Sequence, residues 1–396
     1  MGDTTTADPP PAASRPPIWR NVRVLRGVVQ VLFLVVVASV IWWLIDNLLV
    51  NLDRIGIDLS FDYLDQPAGF QIAGSDFRPT QPVRDVLVVG FLNTIRVAAV
   101  GIVLSTILGI IVGIAGLSAN WLVRKVATVY VEVLRNLPPL VVIVFVFTAV
   151  VLQFPPIQEA RDLGGLMLIN NRTIGMASPT LQGDSAEVFA IVCLLAIIAG
   201  IGLAIWRTRR FVATGEPHHR VLYGGGLVLG VVLVAWLVLG RPLVLDHPEV
   251  VGRQVDGGWG MSANYFSLLL ALTIYTASYI AEIVRGSIQA VHRGQTEATQ
   301  ALSLGDLQRL RFVVLPQAFR IAVPPLANQY LNLTKNSSLA IAIAFAEFTL
   351  VTKTVIGNGN PAPQSFLILM AGYLFLSLVI SAVANHVNRR LQLVSR

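Results

Sequence analysis

Residues 285–320, RGSIQAVHRGQTEATQALSLGDLQRLRFVVLPQAFR, interrupt two long apolar runs with polar and small side chains. From Gly294, GQTEATQAL reads as a short helix with Thr296 as its N-cap. Gly305 and Asp306 supply a turn, and DLQRLRFVV starts a second helix that Pro316 limits. The stretch is therefore expected to be a helix-turn-helix elbow lying in water. Ala298, Ala301, Leu302 and Leu304 give it a small apolar face for a partner to cover, and Arg309 and Arg311 stay on the polar side.

Working outward from the elbow, runs of about 20 apolar residues are long enough to cross hydrocarbon as helices. Eight are expected, over roughly 25–45, 86–117, 127–152, 187–206, 221–240, 265–285, 321–347 and 365–386. The predicted fold class is thus all-α, a polytopic membrane protein. Composition agrees: 55 % of the 396 residues are hydrophobic, 13 % are charged and the mean hydropathy is +0.69, which excludes both a soluble domain and a disordered chain. The net charge of +7 does not point to nucleic acid, because no basic tract interleaves with aromatics. It reflects topology instead. Asp46–Asp85 holds seven aspartates against three arginines, whereas Arg207, Arg209, Arg210 and Arg220 crowd the fourth connection. Positive loops mark the cytoplasm, so both termini are expected inside, with Arg15, Arg20, Arg23 and Arg26 at one end and Arg389, Arg390 and Arg396 at the other. The first apolar run is too long for a cleavable signal and ends in WWLIDN without a small-residue cleavage site. Trp42 and Trp43 fit the external interface belt.

The domain organisation expected is a disordered cytoplasmic tail (1–23), a first span with an acidic external loop (24–85), and a transmembrane domain (86–390). Residues 1–17, MGDTTTADPPPAASRPP, carry the polar, Pro-rich composition of the tail. The domain contains an inserted hairpin, about 153–260, and the cytoplasmic loop 286–320. Two Pro- and Gly-containing external loops, Phe154–Asp184 and Arg241–Asn264, read equally as linkers or as an outward docking surface.

No nucleophile with a base and no metal cluster stands near a span end, so catalysis has no support. Cys193 is the one cysteine and sits in an apolar run; His218 and His219 are adjacent, and consecutive side chains diverge. A phosphate loop ends in Gly-Lys-Ser/Thr, but Lys125, Lys335 and Lys353 follow Arg124, Thr334 and Thr352. The chain is expected to be a non-enzyme that binds no cofactor or metal, and any nucleotide energy must come from another subunit.

The elbow resembles the cytoplasmic signature of permease subunits of bacterial ABC importers: Glu-Ala-Ala, three residues, Gly, nine residues, Ile, one residue, Leu-Pro. Glu297, Ala298 and Thr299 occupy the triplet, Ser303 the glycine position, Val313 the isoleucine position, and Leu315 and Pro316 close it. The turn glycine falls two residues later, at Gly305. YVEVLRNLPPLVVIVF (Tyr130–Phe145), TASYIAEIVRGSIQAV (Thr276–Val291) and LPQAFRIAVPPLANQYLNLTKNSSLA (Leu315–Ala340) are similar to segments of the polar amino acid permeases for histidine, glutamine, glutamate and arginine. Eight spans with long external loops look like the larger general L-amino acid type.

The resemblance implies a type I ABC importer permease core in the bacterial inner membrane. It implies four further components: a second, different but homologous permease, an ATPase dimer holding ATP and Mg, a periplasmic amino-acid-binding protein, and the amino acid itself. Glu297, Ala298, Thr299, Ala301, Leu302, Ser303, Leu304, Gly305 and Asp306 would couple to the ATPase, with Glu297 pairing a basic group there or acting as a helix-starting acid. An ion-gradient-driven amino acid transporter is the alternative class, and a membrane scaffold a third.

Ionisable residues inside spans are costly and face protein or water. Lys335, flanked by Asn332, Thr334, Asn336, Ser337 and Ser338, is the first candidate for the substrate path, with an ion pair to a partner acid as its rival reading. Asn93, Thr94 and Arg96 form a second group in span two, where Arg96 alternatively snorkels outward. Glu282 and Arg285, three apart, read as a structural ion pair. Glu132 and Arg135 repeat that spacing just before Pro138 and Pro139, which are expected to kink span three, as Pro324 and Pro325 kink span seven. Gly109 and Gly113 at four-residue spacing predict close helix packing, and Gly224, Gly225, Gly226 and Gly230 the same in span five.

Overall fold

The computed structural model describes residues 22–54, 56, 60–72, 74–75, 77–214 and 219–391. Residues 1–21 of the expected disordered tail, with Arg15 and Arg20, and His218 and Arg396 lie outside these residues, whereas positions 22 and 23, counted with the tail, begin the first helix. The chain divides into two units, Met1–Tyr63 with Pro361–Gln364, and Leu64–Asn360 with Ser365–Arg396. The first unit carries α1 (Val22–Arg54), whose membrane-length apolar window has no buried residue within the chain. A helix apolar on every side is built for lipid.

The second unit holds the other helices: α2 (Val83–Ala115), α3 (Trp121–Arg135), α4 (Pro139–Phe145), α5 (Ala186–Thr214), α6 (Arg220–Val238), α7 (Ala263–Gln289), α8 (Arg293–Ala301), α9 (Asp306–Arg309), α10 (Leu315–Asn336) and α11 (Phe348–Gly357), with most of α12 (Ala362–Leu391). Among the described residues seven helices are long and apolar enough to span a membrane, or eight if one sharply bent pair counts as a span. The centre is α2 against α7. A Cβ on Gly109 would lie 2.5 Å from Ile280 Cγ2, and one on Gly113 would lie 2.8 Å from the Ala281 carbonyl oxygen. Only glycine permits that approach. Val97, Ile143, Leu268, Leu272 and Leu333 fill the adjoining core and are fully buried.

Two expectations about prolines need correction. Span three is not a kinked helix. Trp121–Arg135 and Pro139–Gln153 are separate segments bent by 106°, because Pro139 pushes Pro138 into extended backbone (φ −63°, ψ 139°) and neither proline donates a hydrogen bond. Pro316 does not end the elbow's second helix: a π-helical turn over Leu310–Val314 joins α9 to α10, so the run from Leu307 to Ile343 is continuous. The wider π turn absorbs the hydrogen bond that a proline cannot make. Pro324 and Pro325 lie inside α10 without interrupting it.

The two loops that flank α5 and α6 are not simple linkers. The first carries β1 (Arg161–Asp162), β2 (Met167–Ile169), β3 (Thr173–Met176) and β4 (Ser178–Leu181). The second carries β5 (Leu243–Asp246), β6 (Glu249–Val251), β7 (Gln254–Asp256) and β8 (Trp259–Ser262). They pair across the insertion in an antiparallel sheet of order β1-β2-β3-β8, with Thr173 opposite Ser262 and Met176 opposite Trp259. β4 pairs with β5, Ser178 opposite Asp246. The β2–β3 turn is set by Asn170, whose Oδ1 accepts from the Arg172 and Thr173 amides at 2.9 Å each. The strands cap the end of α7 opposite to the elbow. Between them, α5 and α6 form a hairpin closed by Gly200 and Gly224, where a Cβ on Gly224 would lie 2.8 Å from the Gly200 carbonyl. Gly225, Gly226 and Gly230 face open space, so the expected close packing belongs to Gly224 alone.

Candidate functional sites

The elbow starts earlier than Thr296. His292 is the N-cap of α8, its Nδ1 accepting from the Gly294 amide at 3.1 Å. Glu297 consequently sits in the middle of α8 rather than in its first turn, which removes the helix-starting role; it is exposed, as are Ala298 and Ala301. At the C-terminal end the Leu304 amide donates to the Thr299 carbonyl at 3.1 Å and the Ser303 amide to the Gln300 carbonyl at 2.9 Å. This is the double bond of a Schellman cap, whose reversing residue takes left-handed backbone. That residue is Ser303, at φ 54°; the bend is at the motif's glycine position and not at Gly305. Thr299 is 3 % exposed, whereas Leu302 is 73 % and Leu307 77 % exposed. Two leucines projecting from a short water-facing bracket form an uncovered apolar face.

At the opposite end of α7 lies a cavity of about 880 Å³. Asn93 and Arg96 line it from α2, three residues apart on one helix face. Arg172 and Thr173 reach it from the β2–β3 turn, Trp259 to Ser262 from β8, and Asn264 and Tyr265 from the start of α7. The loop Ala344–Ala346 completes it. Two side-chain amides hold that loop: Asn93 Nδ2 donates to the Ala346 carbonyl at 2.9 Å and Asn264 Nδ2 to the Ile343 carbonyl at 2.6 Å. Between them Ala344 has φ 52°, a left-handed conformation that a Cβ disfavours. The loop is thus braced from α2 and α7 around its least comfortable residue.

Thr94 turns away from this cavity. It is fully buried, its Oγ1 accepting from the Phe348 amide at 3.1 Å and donating to Glu347 Oε2 at 3.4 Å. Glu347, also fully buried, accepts from the Leu350 amide at 2.9 Å as the N-cap of α11, and from the Tyr373 hydroxyl at 2.8 Å. Sequence reasoning passed over Glu347, although a lone acid in AIAFAEFTLV is the same kind of signal that singled out Lys335.

The Lys335 group is not gathered into the cavity. Lys335 is exposed in the last turn of α10, and Asn332 is exposed one turn before it. Ser337 Oγ donates to the Thr334 carbonyl at 2.7 Å and Ser338 Oγ to the Lys335 carbonyl at 2.8 Å, so both hydroxyls serve their own helix end. Asn336 is half-buried where α10 tightens into the 3₁₀ segment Ser337–Ile343. Glu282 and Arg285 meet in a two-point ion pair, Nη2 to Oε1 at 2.6 Å and Nε to Oε2 at 3.1 Å. They border a second cavity, about 590 Å³, with Arg124, Glu132, Arg135 and Tyr279. Among the described residues no cluster of His, Cys, Asp and Glu has the make-up of a metal site.

With this geometry in place, comparison with known proteins is informative. Residues 226–393 match the family described as binding-protein-dependent transport system inner membrane component. The general L-amino acid transport system permease protein AapQ of Rhizobium johnstonii is 42 % identical over 93 % of this chain and 92 % of its own length. The glutamate/glutamine/aspartate/asparagine transport system permease protein BztB of Rhodobacter capsulatus is 34 % identical over 98 % of this chain and 99 % of its own. The glutamine transport system permease protein GlnP of Escherichia coli is 28 % identical, matching over 100 % of its length but 54 % of this chain.

Proposed function

We propose how transport is divided within a chain that belongs to the binding-protein-dependent inner membrane components, as a permease of the ABC amino acid transporters, whose ATP hydrolysis lies in a separate ATPase subunit. The elbow α8–α9 seats in that ATPase, and the motion made on nucleotide closure passes along the continuous run from Leu307 to Ile343 as a rigid-body movement. The substrate path alternates access without chemistry on the amino acid. The substrates are general L-amino acids, delivered by a periplasmic binding protein. The second permease is a different, homologous chain, and ATP with Mg belongs to the ATPase dimer. Both termini and the elbow face the cytoplasm, and the strands face out, in keeping with the arginine-rich connection between α5 and α6. Asn93 and Arg96 act in the substrate path, a reading supported by their common position on the wall of one cavity, and Lys335 acts at the end of α10.

The observation that carries this reading is the Schellman bend at Ser303, which leaves Leu302 and Leu307 uncovered at the spacing where the family carries its signature. The test is Glu297→Arg or Ala298→Arg in the complete importer. ATP-driven uptake should fall at least about tenfold, the loss of one well-made contact of about 1.4 kcal/mol, with membrane insertion unchanged and hydrolysis released from uptake. Transport at the normal rate in both variants would remove the lever.

A further inference from the structure

The cavity at the strand-capped end of α7 has an unbalanced charge. Arg96 and Arg172 line it, and among the described residues no Asp or Glu does. Among the described residues the Arg96 side chain makes one long hydrogen bond, 3.5 Å, to Asn93 Oδ1, and neither arginine has a carboxylate partner. The two cations come from unrelated elements, one from α2 and one from the Asn170-braced turn of the inserted sheet. At about 880 Å³ the space is in the range of small-molecule sites, with a few polar groups converging on an otherwise neutral wall. Guanidinium groups match carboxylates in geometry as well as in charge.

We propose that this cavity is an outer binding site for the amino acid in transit, in which Arg96 and Arg172 hold its carboxylate groups and the inserted β-sheet supplies one wall of the site. The proposal rests on the permease reading above and ranks the general L-amino acids by charge at this one site, without excluding any of them from transport. Asn264 and Trp259 are among the lining residues, an amide that can accept and a ring with a quadrupole, as an α-ammonium requires. With two cations and no acid, the site favours acidic amino acids over neutral ones, and disfavours a second ammonium or guanidinium on the substrate. A lysine or arginine side chain would meet like charge.

The test is direct binding to the purified complex of both permeases and the ATPase, without binding protein, using radiolabelled glutamate with unlabelled glutamate or lysine as competitor. The wild type should bind glutamate, and lysine should compete at least tenfold more weakly than glutamate. Arg172→Gln and Arg96→Gln should each weaken glutamate binding about tenfold, the scale of one hydrogen bond to a charged group, and narrow the gap between glutamate and lysine. Arg172→Lys should restore part of the affinity, which a purely structural role at the turn would not require. All three variants should still elute as the complete permease–ATPase complex in size-exclusion chromatography, showing that they assemble. Glutamate binding that is unaltered in both glutamine variants, or weakened equally for glutamate and lysine, would overturn the site. A wild-type complex that imports nothing with ATP and binding protein would instead overturn the permease reading.

Discussion

The α2–α7 pair and the α5–α6 hairpin both close over glycine, yet they are made for different surroundings. In α2, Gly90, Gly101, Gly109 and Gly113 each approach another helix or its side chains, and 61 % of the membrane window of α7 is buried within the chain. In the hairpin one glycine pair, Gly200 with Gly224, makes the contact, and 6 % of the α6 window is buried. Between apolar helices in lipid there is no hydrophobic drive to associate, so close backbone approach is what fixes a pair. Many such approaches make a core that transmits movement as a unit; a single one makes a hinge-free clip surrounded by other partners or lipid.

That contrast can be broken at its strongest point. Gly109→Val should destabilise the purified protein by about 3 kcal/mol, since the new side chain meets Ile280 where even a Cβ has no room. Thermal unfolding in detergent reads this as a large fall in midpoint with loss of assembled complex. A smaller and local effect is expected from Gly224→Val, about 1–2 kcal/mol. Hydrogen exchange should quicken in α5 and α6 and stay unchanged in α2 and α7; quickening throughout would mean that the hairpin is part of the core after all. Gly226→Ala sharpens the comparison from two residues away. Nothing lies within 4 Å of a Cβ there, so the change should stabilise α6 slightly, by about 0.5–1 kcal/mol from helix propensity alone.

What could be read from the residues follows the same division. The spans were legible because twenty apolar residues in a row have few other fates, and the Gly109–Gly113 contact because small residues one turn apart form a flat face. The signature spacing located the elbow. Its bend was misplaced at Gly305, because a serine in left-handed backbone carries no sign in sequence, and the Schellman bonds at Ser303 become visible only in three dimensions. The strands were missed for a different reason: each is two to four residues long, too short for an alternating pattern, and β3 and β4 find their partners β8 and β5 far along the chain. Without that pairing Arg172 had no reason to be placed beside Arg96. The Lys335 group shows how much of a polar cluster local structure can use. Polar residues that cluster in sequence proved to be finishing a helix, with Ser337 and Ser338 turned back on their own carbonyls.

The pairing of β3 with β8 has a further consequence. Met176 and Trp259 are ladder partners, so everything from Ala177 to Gly258 departs and returns on neighbouring strands, about 5 Å apart. The detour, two spans included, begins and ends at a single doorway. A gene could gain or shed it through one pair of breakpoints, a short reverse turn sealing the gap, and the order in which α2, α7 and α10 follow one another would be untouched. Lineages can therefore lengthen or trim this part of the chain without redrawing the conduit beneath it.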